Sequence, residues 1–402
     1  MKPRQIPFFL PDIGQEEIDE VTACLRSGWL TTGPRTKQFE QEFAGYVGKK
    51  HAIAVNSCTA ALHLALEAIG LQRGDHVLIP TMTFAATAEV VRYFDAVPLL
   101  VDCRLDDFGL DVEDARRRIH QLLAKNPTAR IKAVIPVHYG GLVADMAGVL
   151  ALAGEYNLAV IDDAAHCCPA SYRYGPGQPW NQVGAETTAC CYSFYANKTI
   201  TTGEGGMLCT DDDGLADRAR IMSLHGISRD AWKRFTASGS WNYDISAPGF
   251  KYNLTDVAAS IGLHQLRKSD KMHARRSSLA DLYRRQLADL PAVILPPVPA
   301  NRVHSWHLFP LRLRLDQLTL DRGEFIEELK RRGIITSVHW KPLHMHPYYE
   351  GEYGYRAEDL PTAARLFPTL VSLPLFPLMT EEDVLYVCDQ VKAIASPPGA
   401  AT

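Results

Sequence analysis

The run Ser193-Phe-Tyr-Ala-Asn-Lys198-Thr-Ile-Thr-Thr-Gly203-Glu-Gly-Gly206 sets a single lysine between an apolar stretch and a glycine cluster. The residues leading into it, Ala189-Cys-Cys-Tyr-Ser-Phe194, read as a buried strand, and Gly203, Gly205 and Gly206 allow a tight loop that other backbone can approach closely. Upstream, the apolar Leu158 to Ile161 ends in Asp162 and Asp163, with His166 three residues further on. Two buried strands thus deliver an amine and a carboxylate to their ends. An amine in apolar surroundings has a lowered pKa and is suited to Schiff-base formation with an aldehyde.

Strand signals also occur at His51–Val55, Val77–Pro80, Val97–Asp102 and Ala133–His138, with helical stretches between several of them, such as Ala60–Ile69. This alternation predicts an α/β layer with a mainly parallel sheet. A first helix is expected from Gln15 to Arg26, ended by Gly28. After about residue 250 the pattern changes. Helices are expected at Thr255–Ser269 and Met272–Leu287, then a half-exposed antiparallel strand at Leu308–Leu315. Asp321 and Glu324 form a capping box for a helix ended by Gly333, and a closing helix starts near Thr380. The expected division is a large domain, 12–250, and a smaller α+β domain, 251–396, followed by a disordered tail, Ser396–Thr402.

The chain has 402 residues, a net charge of −4 and 47% hydrophobic content. That is enough to bury more than one core, and the balance argues against a nucleic-acid or membrane-surface protein. No apolar run reaches the roughly 18–20 residues of a membrane span. The Pro-broken start does not read as a signal peptide, so a cytoplasmic location is expected. Nine cysteines, none in C-x-x-C spacing, read as reduced buried thiols, and no metal site is expected. Gly203, Gly205 and Gly206 do not match G-x-G-x-x-G, and Lys198-Thr199 lacks the upstream glycine of a phosphate loop.

The cofactor that an amine, a buried carboxylate and a glycine cluster suit is pyridoxal 5'-phosphate (PLP). Its pyridine nitrogen calls for Asp162 or Asp163, since alternation points only one of them at a given face. Its phosphate calls for an anion site, and Ser57, Cys58 and Thr59 lie at a strand-to-helix junction that presents free backbone N–H groups, with the Ser193 hydroxyl in reserve. Phe84, after a strand, is suited to stack on the ring, and His166 to hydrogen-bond its hydroxyl or lie beside it. Each residue has a plain structural alternative as cap, strand end or core; their joint occurrence carries the reading.

With these residues the chain resembles the DegT/DnrJ/EryC1/StrS family of PLP-dependent sugar aminotransferases, from about Ile6 to Ile394. The matching motifs include Ser27-Gly-Trp-Leu-Thr-Thr-Gly33, Asn56-Ser-Cys-Thr-Ala-Ala-Leu62, Pro80-Thr-Met-Thr-Phe84, Asp163-Ala-Ala-His166, Gly203-Glu-Gly-Gly206, Lys251-Tyr-Asn-Leu-Thr-Asp256 and Ser372-Leu-Pro-Leu-Phe376. The resemblance implies the aminotransferase fold type I, with Lys198 as the Schiff-base lysine and Asp163 as the pyridinium partner. It further implies Phe84 stacked on the ring, His166 beside it, and Ser193 and Thr59 on the phosphate. Lys251 and Asn253 are expected to reach the site of a second subunit in a homodimer, and the aromatic Phe250 and Tyr252 suggest an interface there. Trp29, Thr31, His304, His339 and His344 match motifs that lie near the sugar.

The implied reaction moves an amino group, with glutamate as expected donor, to a 4-keto group of a nucleotide-linked sugar, a 3-keto sugar being the alternative. Arg229 is a candidate for binding diphosphate or carboxylate. Lys251 and Asn253 stand where much of the family has Asn and Arg, and this spelling looks like the UDP-4-amino-4-deoxy-L-arabinose aminotransferase branch. Cys58 replaces a smaller residue. A sugar dehydratase of the same fold typically has His in place of the lysine, so Lys198 argues against it; a non-catalytic protein of this fold is the other rival.

Overall fold

A computed structural model of the chain describes residues 4–227 and 244–395; Arg229 and the tail Ser396–Thr402 lie outside them. At its centre is a sheet of seven strands: β1 (His51–Val55), β2 (His76–Pro80), β3 (Val97–Val101), β4 (Ile131–Val134), β5 (Ala159–Asp163), β6 (Ala189–Ser193) and β7 (Gly206–Thr210). Their spatial order is β1-β7-β6-β5-β4-β2-β3. Only β7 runs antiparallel to its neighbours, so the sheet is mainly parallel as expected. The strands are built from Ala, Val, Ile, Leu and Cys because both sheet faces are covered. Side chains alternate between two cores. Ala54, Val160 and Cys190 join Phe39, Phe43 and Phe194 on one face. Ile53, Ile161 and Cys191 join Leu62 and Leu66 on the other.

This arrangement brings the carboxyl ends of six parallel strands to one edge. The turns after Val55, Pro80, Asp163 and Ser193 all emerge there, which is where open α/β sheets place their ligands. The expected strand Ala133–His138 stops at Val134, because Pro136 has no N–H to continue a ladder. The chain stays extended, however, and Val137 bridges Asp163.

The second core gathers on a three-stranded antiparallel sheet, Val293–Ile294, Phe309–Leu313 and Leu370–Leu373. Helices Ser269–Leu287, Arg322–Arg331 and Glu381–Ala395 supply its remaining apolar residues. Strand Phe309–Leu313 is buried except for a half-buried Arg312, not half-exposed, since it lies between two partners and under helices. Asp321 and Glu324 form the expected capping box. Leu254, Ala259, Leu263, Leu266 and Met272 pack in the large core, whereas Leu279 and Tyr283 belong to the small one. Helix Ser269–Leu287 thus contributes to both cores.

Three elements carry no clear signal in the sequence: helix Pro34–Val47, strand β7 and helix Asp213–Met222. All nine cysteines are buried and free. Among the described residues no helix is long and apolar enough to cross a membrane, and no three His, Cys, Asp or Glu side chains form a metal-binding group.

Candidate active site

The alternation of β5 decides between the two aspartates. Asp162 falls on the face of Val160, where its Oδ2 accepts from the Thr187 hydroxyl at 3.0 Å and its Oδ1 lies 3.4 Å from His138 Nε2. Asp163 falls on the face of Ile161. Its Oδ2 accepts from the Thr87 hydroxyl at 2.8 Å and its Oδ1 from the Ala165 N–H at 3.2 Å. Thr87 is held in turn by Thr83, 2.7 Å away. Asp163 is 6% exposed, and burial pushes its pKa up. Among the described residues no cation lies within ion-pairing distance of it, although Lys198 and His138 are near enough for their charges to oppose that rise.

Lys198 follows β6 on the loop that returns to β7. Its N–H donates to the Tyr195 carbonyl at 2.9 Å, and Phe194, Thr202 and Gly205 close the loop with backbone hydrogen bonds. Burial lowers the pKa of its amine to about 8, against the pull of Cys58 and Asp163. The residue as a whole is half-buried.

Ser57 caps helix Cys58–Ala68, its Oγ accepting from the Ala60 N–H at 3.1 Å. Gly206 pairs with both Val55 and Ser193, which brings Ser193 beside the Ser57 turn. A Cβ on Gly206 would lie 2.4 Å from the Ser57 carbonyl carbon and 2.5 Å from the Cys58 nitrogen. Only glycine lets β7 pass that close. Thr59 is half-buried next to this turn. Cys58 points into the core and donates its thiol to the Cys191 carbonyl, which explains how a larger residue is accommodated beneath the turn.

Phe84 is 60% exposed, so it is not a core residue. It lines a cavity of about 520 Å³ with Tyr93, Trp340, Tyr348, Arg92 and Lys341. His166 is buried, and its Nδ1 accepts from the Gly140 N–H at 3.1 Å. A backbone N–H only donates, so the imidazole proton sits on Nε2. Burial and the Lys198 charge hold this imidazole well below its ordinary pKa, leaving it neutral. Trp340 stacks on it with ring centres 5.1 Å apart.

The five residues matched to the sugar side separate into groups. His339 feels Lys198, and burial lowers its pKa to about 4; its Nδ1 is 2.8 Å from the Ser372 hydroxyl. His344 is fully buried with Nδ1 2.8 Å from the Thr81 hydroxyl, and His304 stacks on Trp306 with ring centres 4.0 Å apart. Both are engaged within the protein. Trp29 and Thr31 lie on the approach to helix Pro34–Val47; Trp29 is half-buried with its Nε1–H donating to the Thr32 carbonyl at 3.1 Å, while Thr31 is exposed and its carbonyl accepts from the Asp256 N–H at 3.2 Å. Lys251 is exposed, and its amine donates to the Asn253 side-chain oxygen. Asn253 bridges Val55, while Phe250 and Tyr252 stack on each other and reach His63 of the same chain. Both rings stay half-buried in the single chain.

Thr87 beside Asp163, Trp340 on His166, and Arg276 and His307 near Lys198 are neighbours of these residues that the sequence does not single out. A Thr two residues into a helix, or a lone His in Ser305-Trp-His-Leu308, carries no local pattern; only the fold brings them to Lys198 and Asp163.

Residues 11–392 match the DegT/DnrJ/EryC1/StrS aminotransferase family. The chain belongs to this family. An uncharacterized protein of Methanocaldococcus jannaschii is 45% identical over 391 residues, spanning 97% of this chain and 98% of its own. The spore coat polysaccharide biosynthesis protein SpsC of Bacillus subtilis is 43% identical over 390 residues, 97% of each chain. The sugar aminotransferase Spr1654 of Streptococcus pneumoniae, described as putative and solved in PLP and PMP forms, superposes with a TM-score of 0.86 at 31% identity, over 98% of this chain and 98–99% of its own. This protein is therefore a PLP-dependent sugar aminotransferase with the α/β architecture of fold type I. The site fits the cofactor on its own terms. A buried carboxylate lacking a cationic partner suits a protonated pyridine nitrogen, and the close-approach turn at Gly206 suits a phosphate.

Proposed function

We propose that the enzyme transfers an amino group from glutamate to a keto group, at C4, of a nucleotide-linked sugar. The observation that carries this reading is a desolvated Lys198 amine and a cation-free Asp163 at the same sheet edge, with the 520 Å³ cavity opening past Phe84. When bound, PLP supplies an aldehyde carbon and an electron-withdrawing ring. Lys198 would hold the former, Asp163 the ring nitrogen, Phe84 a ring face and His166 Nε2–H the ring hydroxyl. Ser57, Thr59, Ser193 and the amides after Thr59 would hold the phosphate. With a pKa near 8, Lys198 Nζ is neutral in part at pH 7. It can take a proton from the α-carbon of the donor and deliver one to the acceptor carbon.

The cavity supports a nucleotide on the acceptor. Tyr93, Phe84, Trp340 and Tyr348 offer flat faces for a base, and Arg92 and Lys341 offer positive charge for a diphosphate. The arabinose branch suggested by the spelling of Lys251–Asp256 draws no support from the relatives above. The acceptor reading therefore stays at keto sugars, with a 3-keto sugar as the alternative. We place Lys251 and Asn253 at the phosphate of a second subunit in a homodimer, a reading supported by the exposure of Lys251 and by the family resemblance. A panel of 3-keto and 4-keto nucleotide sugars, each with glutamate, tests the proposal. Turnover is expected with a 4-keto nucleotide sugar, and the free sugar is expected to react poorly. Equal turnover of free and nucleotide-linked sugars, or turnover of 3-keto sugars alone, would refute it.

A further inference from the structure

His307 lies in the strap Ser305–Leu308, which is pinned to the large layer where Ser305 N–H and Leu308 N–H donate to the carbonyls of Gly141 and Gly140, at 2.9 and 3.0 Å. Its imidazole is only 5% exposed, yet among the described residues neither Nδ1 nor Nε2 has a hydrogen-bond partner. An unmet polar group in the interior is costly, so the ring calls for a partner from outside the fold. It sits against His166, ring centres 4.2 Å apart, and feels the charges of Lys198, Arg276 and His339. The groups acting most strongly on it are thus nitrogen bases and cations, with no carboxylate among them.

Arg276 deepens that imbalance. It is 3% exposed, its Nη1 donates to the carbonyls of Trp306 (3.2 Å) and Leu375 (2.7 Å), and its Nε has no partner among the described residues. It lines a narrow crevice together with Asn197, Lys198 and Asp12, whose carboxylate lies 3.5 Å from the Lys268 amine. Burial lowers its pKa to about 10, which leaves it a cation. A buried guanidinium held only by carbonyls leaves its charge uncompensated.

We infer that His307 is a contact for a carboxylate of the amino-acid donor, with Arg276 as a positioning residue that holds the Trp306–His307 backbone and supplies charge behind it. A neutral imidazole still has one N–H to donate, and an anion brings the negative charge that the groups acting on His307 lack. This rests on the reading of an amino acid as the donor.

The test uses the holoenzyme and glutarate, a dicarboxylate with no amine, titrated by calorimetry, alongside the glutamate concentration that half-converts the bound cofactor by absorbance. His307→Phe is expected to weaken both by about tenfold, the worth of one hydrogen bond to a charged group, and His307→Gln, which keeps an N–H, by clearly less. Cofactor retention and half-saturation by the keto sugar should stay within about twofold of wild type, the spread expected without a lost contact. Arg276→Lys should retain glutarate affinity and Arg276→Met should lose it in parallel with His307→Phe. If His307→Phe does not fold, His307→Leu, which also lacks a donor, gives the same readings. Unchanged glutarate affinity in these variants, no glutarate binding by wild type, or loss of cofactor in place of glutarate would overturn the assignment. Should wild type bind glutarate through His307 and yet react with no amino acid, the donor reading falls and the carboxylate site stands.

Discussion

Two adjacent aspartates in β5 differ in what they face, and that difference sets the sharpest residue-level prediction. Asp163 lies near Cys58 and Lys198, and the Thr87 hydroxyl and the Ala165 N–H that it accepts from are neutral donors. Asp162 faces Thr187 and His138 on the other side of the sheet. Asp163→Asn should lower turnover at least about tenfold, ~1.4 kcal/mol in barrier, because the ring nitrogen loses its counter-charge. Asp162→Asn should do much less. Single-turnover kinetics on both variants checks this, and the reverse order would mean the cofactor lies on the other face of β5. Lys198 and the pair Asp162 and Asp163 stood out as candidates in the sequence because each carries a charge near the end of an apolar strand, where burial alone would disfavour it; the choice of Asp163 came from the family resemblance. The candidate His307 did not stand out, since nothing in Trp306-His-Leu308 distinguishes it from a core histidine until its unpartnered, buried ring is seen against His166.

At the level of elements, the strands that alternate with helices were legible from period and composition. The misses have physical reasons. Helix Pro34–Val47 begins at Gly33, a residue with no side-chain cap, and the cap arrives from far along the chain. Buried Asp256 accepts from the N–H groups of Gly33, Arg35 and Thr36 and from the Thr36 hydroxyl. Strand β7 begins inside the glycine cluster, so its first residue reads as loop. Yet that residue is what lets the strand pass the Ser57 turn. Gly206→Ala would drive a methyl group into the Ser57 and Cys58 backbone. The expected outcome is a loss of about 1–3 kcal/mol in stability, as for other over-packed sites, with faster PLP release because the phosphate turn is displaced. Thermal unfolding and cofactor dissociation measure the two effects. Stability within error of wild type, with PLP held normally, would show that the turn yields easily.

The molecule as a whole is a mainly parallel sheet that collects strand ends at one edge, with a second core on a small antiparallel sheet, and His307 and Trp340 against His166. If Lys251 completes a neighbour's site, inactive Lys198→Ala subunits mixed with inactive Lys251→Glu subunits should regain activity. Each mixed dimer then has one site free of both changes. Mass spectrometry of the mixed dimers establishes that subunits exchange; exchange without recovered activity would contradict shared sites. Underlying all of this is the claim that Lys198 is the residue that holds PLP. Borohydride reduction of the purified, PLP-loaded protein, followed by peptide mass spectrometry, reads that directly. A pyridoxyl group on Lys198 and on no other lysine is the predicted result; a group fixed on a different lysine, or none retained at Lys198, would contradict the account.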